Sequence, residues 1–212
     1  MGTLVIVDGG PRKGWNTAQM LGSVSDGATS AGAEVRYFRL FDLDARGCSS
    51  CFACKRKGVF LDCCAQRDGL RPVLEAVYGC DALVVGSPVY FGDVTGATRN
   101  FIERVCFPYI SYDELPSHFG RQIETALICT TNAPAAEFDQ FGYLDLFAHI
   151  QQVFSRIFGR SQTLCAAETL QFDDYSKYAA GRFDAQERLS RHETVFKDDL
   201  QKAFDLGIAL MG

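Results

Sequence analysis

A chain of 212 residues with a formal net charge of −5 has the length of a single domain and does not depend on crosslinks for a core. Its acidic balance excludes a general nucleic-acid binder, and no apolar run approaches the roughly 20 residues of a membrane-spanning helix. The opening "MGTLVIVDGG" has no charged leader before a long apolar stretch, and an odd total of nine cysteines argues for reduced thiols in a cytoplasmic protein.

"TLVIVD" (3–8) is a short apolar run suited to a buried parallel strand. A glycine-rich turn leads to a helix over about 16–30, stopped by Gly32, with Asn16 as its expected N-cap. "EVRYFRL" (34–40) alternates in character and suits a strand nearer the sheet edge. After a cysteine-rich loop come a helix over about 69–77, a buried strand "DALVVGS" (81–87), and a helix over 93–106 presenting Phe101, Ile102 and Val105. "IETALICTT" (123–131) makes a fourth strand. A helix over about 137–158 carries a core stripe of Phe141, Leu144, Phe147 and Phe154, "SQTLCAAETL" (161–170) makes a fifth strand, and 184–210 a closing helix. Strands alternating with helices predict an α/β three-layer sandwich: one doubly wound parallel sheet of five strands. Ligands of such sheets bind beyond the carboxyl ends of the strands, where strand order reverses. That rule singles out three loops, 9–17, 87–96 and 130–136.

"GGPRKGWNT" (9–17) joins a strand to a helix start, where unpaired N–H groups and the positive dipole end favour an anion. Arg12 and Lys13 add positive charge. This loop, together with "GSPVYFGDVTGATRNFIER" (86–104), resembles the two flavin loops of the NAD(P)H-dependent FMN reductase family, a flavodoxin-like fold. The cysteine triplet between them, and Cys64-x3-Asp68, resemble the iron–sulfur flavoprotein branch; "LQFDDYSKY" (170–178) resembles an extension of some members. The resemblance implies that Gly10, Arg12, Lys13, Asn16 and Thr17 hold the FMN phosphate. It implies that Pro88, Val89, Tyr90, Phe91 and Gly92 line the ring and ribityl chain, and that Thr130, Thr131, Asn132 and Ala133 close the opposite edge. Two positions depart from the family pattern: Gly10 stands where a serine is usual, and Trp15 where glycine or asparagine is common. The flavin would carry the redox chemistry, so no catalytic acid–base pair is expected among the three histidines.

The stretch "GCSSCFACKRKGVFLDCCAQ" (47–66) sets Cys48, Cys51 and Cys54 at three-residue spacing, the opening of a ferredoxin-like cluster pattern. A four-iron cluster needs a fourth thiolate: Cys64 fits the family pattern, with Cys63 the alternative. Zinc suits the triplet less well, and free thiols are the remaining reading. Arg46, Lys55, Arg56, Lys57 and Arg67 surround this loop with Asp62 the only acid between them; they read either as a solvated loop or as a docking patch for an acidic, ferredoxin-like electron donor or an anionic nucleotide. Cys80, Cys106, Cys129 and Cys165 sit in apolar contexts and read as small core residues. The expected protein is an FMN-dependent oxidoreductase with a [4Fe–4S] cluster. It would pass electrons from NAD(P)H or a reduced protein to a small-molecule acceptor as a homodimer or homotetramer. A cluster-free reductase and a non-enzymatic carrier are the alternatives.

Overall fold

The computed structural model describes residues 2–58, 62–112 and 117–212. Residues 59–61, within the cysteine loop, lie outside the described residues. The elements in chain order are β1 (Thr3–Asp8), α1 (Asn16–Ser30), β2 (Glu34–Arg39), α2 (Arg71–Gly79), β3 (Ala82–Tyr90), β4 (Asp93–Val94) and α3 (Gly96–Cys106). Then follow β5 (Glu124–Thr130), α4 (Tyr143–Phe158), β6 (Ser161–Ala166), α5 (Ala185–Glu193) and α6 (Val195–Ala209).

Five strands pair in parallel in the order β2-β1-β3-β5-β6, with β2 at the edge its alternating sequence foretold. The period-two direction of strand side chains explains why the central strands are apolar on both faces. Leu4, Ile6, Val84 and Ile128 face α1 and α6, packing on Met20, Val24 and Ala203. Val5, Val7, Val85 and Leu127 face the other way, onto Val73, Phe101 and Phe154 of α2, α3 and α4. Helices α1 and α6 approach so closely that a Cβ on Gly27 would stand 2.0 Å from the Phe204 carbonyl oxygen. The result is a flavodoxin-like three-layer sandwich, with the strand order reversing between β1 and β3.

Four expectations need correction. Asp93 and Val94 form not the first turn of a helix but the short β4, antiparallel to Tyr90 and Val89; α3 starts behind the N-cap Thr95, whose Oγ1 accepts from Thr98 N. The helix expected over 137–158 begins only at Tyr143, because Gly142 takes a left-handed φ of 69° and a turn closes from Phe138 O to Tyr143 N. Phe141 and Leu144 are consequently exposed, while Phe147 and Phe154 keep their core positions. The fifth strand ends at Ala166; Glu168, also left-handed at φ 52°, turns the chain along residues 131–133 instead. The closing helix is two, broken at Thr194, whose Oγ1 donates back to Ser190 O.

Candidate functional site

At the carboxyl ends of β1, β3 and β5 lies a cavity of about 660 Å³. Next to the lining residues Gly10 and Pro88, two loops cross. Gly9 N donates to Gly86 O, Thr95 Oγ1 donates to Gly9 O at 2.9 Å, and Thr95 N donates to Ser87 Oγ at 2.9 Å. A Cβ on Gly9 would fall 1.8 Å from Thr98 Oγ1, so the crossing exists only with glycine. Below it Asp8, fully buried, accepts from Gly10 N (2.7 Å), Tyr37 OH (3.1 Å) and Arg39 Nε (3.3 Å). Burial and the neighbouring carboxylate push the Tyr37 hydroxyl pKa far up, so it stays a donor. A Cβ on Gly10 would stand 3.0 Å from Asp8 Oδ1 and 3.3 Å from Thr17 Cβ, so a side chain there would be tightly packed.

Gly10, Arg12, Asn16, Thr17, Pro88, Val89, Tyr90, Phe91, Thr130, Thr131, Asn132 and Ala133 all line this cavity. Lys13 and Gly92 do not. Lys13 is exposed and pairs with Asp42 at 3.4 Å; Gly92 (φ 76°) and Phe91 (φ 52°) form the left-handed turn of the β3–β4 hairpin. Asn16 is the first residue of α1 rather than its cap, and no side chain caps that helix. Its start also carries no acid, leaving backbone N–H groups free of local negative charge. Thr17 Oγ1 lies 2.7 Å from Thr130 Oγ1, joining the first loop to the third. Asn132 Oδ1 is buried in the cavity wall without a hydrogen-bond partner.

Sequence reasoning missed the cavity's cover. Residues 170–172 cross the first loop as a strap. Asn16 Nδ2 (2.8 Å) and Trp15 Nε1 (3.1 Å) donate to Leu170 O, and Arg12 donates to Gln171 O (2.8 Å). The Arg12 guanidinium also stacks on Trp15, 4.4 Å from the ring centre. Phe172, Arg182, Phe183 and Arg188, together with Phe141 and Tyr143, complete the lining. The bulky Trp15 and the motif "LQFDDYSKY" were the available signals; they are contact partners.

The cysteine loop forms a second, small cavity. Its neck is closed by Gly69 N donating to Asp44 O at 2.9 Å. Ser50 and Phe52, both left-handed at φ 53°, coil the chain between the cysteines. Cys48, Cys51, Cys54 and Cys64 line the cavity together with Glu103 and Arg104 of α3. Cys63 is buried outside it, beside Arg71 and Glu75, and burial pushes its thiol pKa up. Among the described residues, no three His, Cys, Asp or Glu side chains are grouped as for a single metal ion. Cys80 and Cys165 have thiol pKa values pushed up to about 12, chiefly by burial, and Cys106 and Cys129 are raised further by the same cause. Cys80, Cys106 and Cys129 are buried as expected of small core residues, whereas Cys165 is half-buried. The two cavities share no residue. Of the basic patch, Arg46, Arg56, Lys57 and Arg67 are exposed, whereas Lys55 Nζ is engaged by the carbonyls of Pro108 and Ile110.

A doubly wound sheet with a cavity at its switch point and glycine-built loops defines a flavodoxin-like α/β fold. The NADPH-dependent FMN reductase family matches residues 2–124, and the chain belongs to it. An iron-sulfur flavoprotein of Archaeoglobus fulgidus is 35% identical over 101 residues, 48% of this chain and 47% of that protein. Iron-sulfur flavoprotein MJ1083 of Methanocaldococcus jannaschii is 28% identical over 98 residues, 46% of this chain and 49% of its own length. The chain thus spans about half the length of the curated relatives it matches. Among solved structures, an NAD(P)H:quinone oxidoreductase from Methanothermobacter marburgensis superposes with a TM-score of 0.73 over 100% of this chain and 98% of its own, at 13% identity. An FMN-dependent NADH-azoreductase from Bacillus anthracis, in complex with FMN, gives 0.67 over 99% and 100%, at 9% identity. At such identities these two speak to the fold. Among the described residues, no helix is long and apolar enough to cross a membrane.

Proposed function

We propose that the chain is one flavin-binding domain over residues 1–212, an FMN-dependent oxidoreductase whose cysteine loop holds a [4Fe–4S] cluster. Electrons would come from NAD(P)H or a reduced protein and leave to a small acceptor such as a flavin or quinone. The observation that carries the redox-loop half of this reading is the convergence of Cys48, Cys51, Cys54 and Cys64 on one cavity, with Cys63 outside it. The flavin half rests on family membership and on the fit of the large cavity. Its glycine cradle leaves room for a phosphate at the start of α1, and the unpartnered Asn132 Oδ1 offers an acceptor to the polar edge of an isoalloxazine. Bound there, FMN would supply the hydride and single-electron chemistry.

The chain's own residues then have distinct tasks. Backbone N–H groups at the start of α1 and the Thr17 hydroxyl bind the phosphate. Arg12, Trp15 and Asn16 hold the strap, through Leu170 O and Gln171 O, and keep water from the phosphate. Phe141, Tyr143 and Phe172 give an apolar wall against which a planar acceptor can lie. Exposed Arg46, Arg56, Lys57 and Arg67 suit an acidic, ferredoxin-like donor, and the net negative charge suits no nucleic acid. Exposed Phe91 and Phe141 at one cavity, and Phe52 and Tyr112 near the other, support a homodimer or homotetramer. A second reading, a cluster-free NAD(P)H reductase with free thiols, draws on the lack of a grouped metal-ion set among the described residues. Steady-state turnover of anaerobically purified protein with NADH, NADPH and a reduced ferredoxin, against flavin and quinone acceptors, tests the reading. Turnover with at least one donor is expected; none with any donor would leave an electron carrier instead.

A further inference from the structure

Arg104 is the largest fully buried side chain, and α3 delivers it to the wall of the cysteine cavity. Its Nε stands 3.1 Å from Cys64 Sγ. The rest of the guanidinium is spoken for. Two N–H groups clamp Asp68, at 2.7 Å to Oδ2 and 3.1 Å to Oδ1, and others reach the carbonyls of Arg46 (2.8 Å) and Gln66 (3.3 Å). Asp68 in turn accepts from Arg46 N and Leu70 N. Burial alone would raise the Asp68 carboxyl pKa, but these hydrogen bonds outweigh it and hold the group below its ordinary value. A fork gripped on two sides cannot swing away, so its remaining N–H is fixed on the sulfur. This gives Cys64-x3-Asp68 a physical meaning: the cysteine and the aspartate meet on opposite sides of one arginine.

We infer that Arg104, held in place by Asp68, is a positioning residue that raises the reduction potential of the redox centre ligated through Cys64. The inference rests on the reading of the loop as a cluster cradle. One-electron reduction adds a negative charge to the centre while no bond to the protein forms or breaks. A cation and an N–H donor at a ligating sulfur stabilise the reduced form more than the oxidised one. The other cations nearby are placed differently, and none donates to the Cys64 sulfur: Arg71 reaches the Cys64 carbonyl and pairs with Glu75, Lys55 is held by the carbonyls of Pro108 and Ile110 on the Cys54 side, and Arg56 lies toward Cys51. Glu103, the acid in the same wall, accepts from Cys48 N at 3.0 Å.

The test is potentiometric titration of the full-length, anaerobically reconstituted protein, followed by electron paramagnetic resonance, with iron, sulfide and FMN contents measured on each sample. Arg104→Met should make the centre about tenfold harder to reduce, a drop of about 59 mV for a one-electron couple. Since Arg104→Met leaves Asp68 without its partner, the double variant Arg104→Met/Asp68→Asn removes both charges together. It should also fall below the parent, by less than Arg104→Met alone. Arg104→Lys, which keeps charge without the fork, should lie between Arg104→Met and the parent. Potentials that stay at the parent value, or loss of iron from both Met variants, would overturn the inference and leave Arg104 a packing residue. A parent protein that reconstitutes no iron or sulfide would fail one step earlier, at the cluster reading itself.

Discussion

The large cavity takes its walls from the ends of three parallel strands, and its loops are stitched to one another by Gly9, Thr95 and the Thr17–Thr130 pair. The cysteine cavity hangs on one irregular excursion between β2 and α2, pinned to α3 by Arg104 and by Cys48 N on Glu103. One site is therefore a property of the sheet, and the other of a few polar contacts. The difference teaches that the two should fail independently. A lesion in the loop leaves the sheet-built cavity whole, and a lesion in the crossing leaves the thiols where they are.

The largest effect should come from Cys54→Ser. It is expected to abolish iron and sulfide uptake while FMN content stays at the parent level, read by metal analysis and flavin absorbance. Loss of FMN as well would break the claimed independence. Gly9→Ala makes the reciprocal test. Its Cβ collides with Thr98, so it should cost about 1–3 kcal/mol by denaturant titration and sharply weaken FMN binding, with iron retained.

Next in size, Arg12→Ala frees the strap at Gln171 and should weaken FMN binding about tenfold, the scale of one charged hydrogen bond, in a fluorescence titration. An unchanged affinity would show that the strap does not seal the cavity. The Arg104–Asp68 pair supplies a pH test of the loop. The Asp68 carboxyl is depressed in the folded state, so its contribution is present above the ordinary carboxylate pKa and is lost as pH falls through the lower folded value. The stability gap between the parent and Asp68→Asn should be open at pH 7 and close toward acid, below roughly pH 4. A gap that persists unchanged at low pH would show that charge has no part in it. Smallest of all, Phe141→Ala should move stability by less than about 0.5 kcal/mol, since Phe141 is exposed. Its core control, Phe154→Ala, stands outside this ranking and should cost about 3–5 kcal/mol.

The contrast also governs what the sequence disclosed. Sheet elements announce themselves through apolar runs, so "TLVIVD" and "DALVVGS" located β1 and β3, and the switch-point rule located the cavity loops before any contact was known. Boundaries set by single backbone conformations were not legible. Nothing in periodicity shows that Gly142 and Glu168 take left-handed φ values, yet these two angles move Phe141 out of the core and turn residues 167–170 off the sheet. Long-range partners were hidden for the same reason. The strap carbonyls lie more than 150 residues from Trp15 and Asn16. Nothing in the sequence singles out Arg104, whose partners Cys64 and Asp68 lie 40 and 36 residues away.

The most direct measurement is simultaneous quantitation of FMN, iron and sulfide in protein purified without oxygen. The account predicts one FMN with about four iron and four sulfide per chain. Full FMN with neither iron nor sulfide would contradict it.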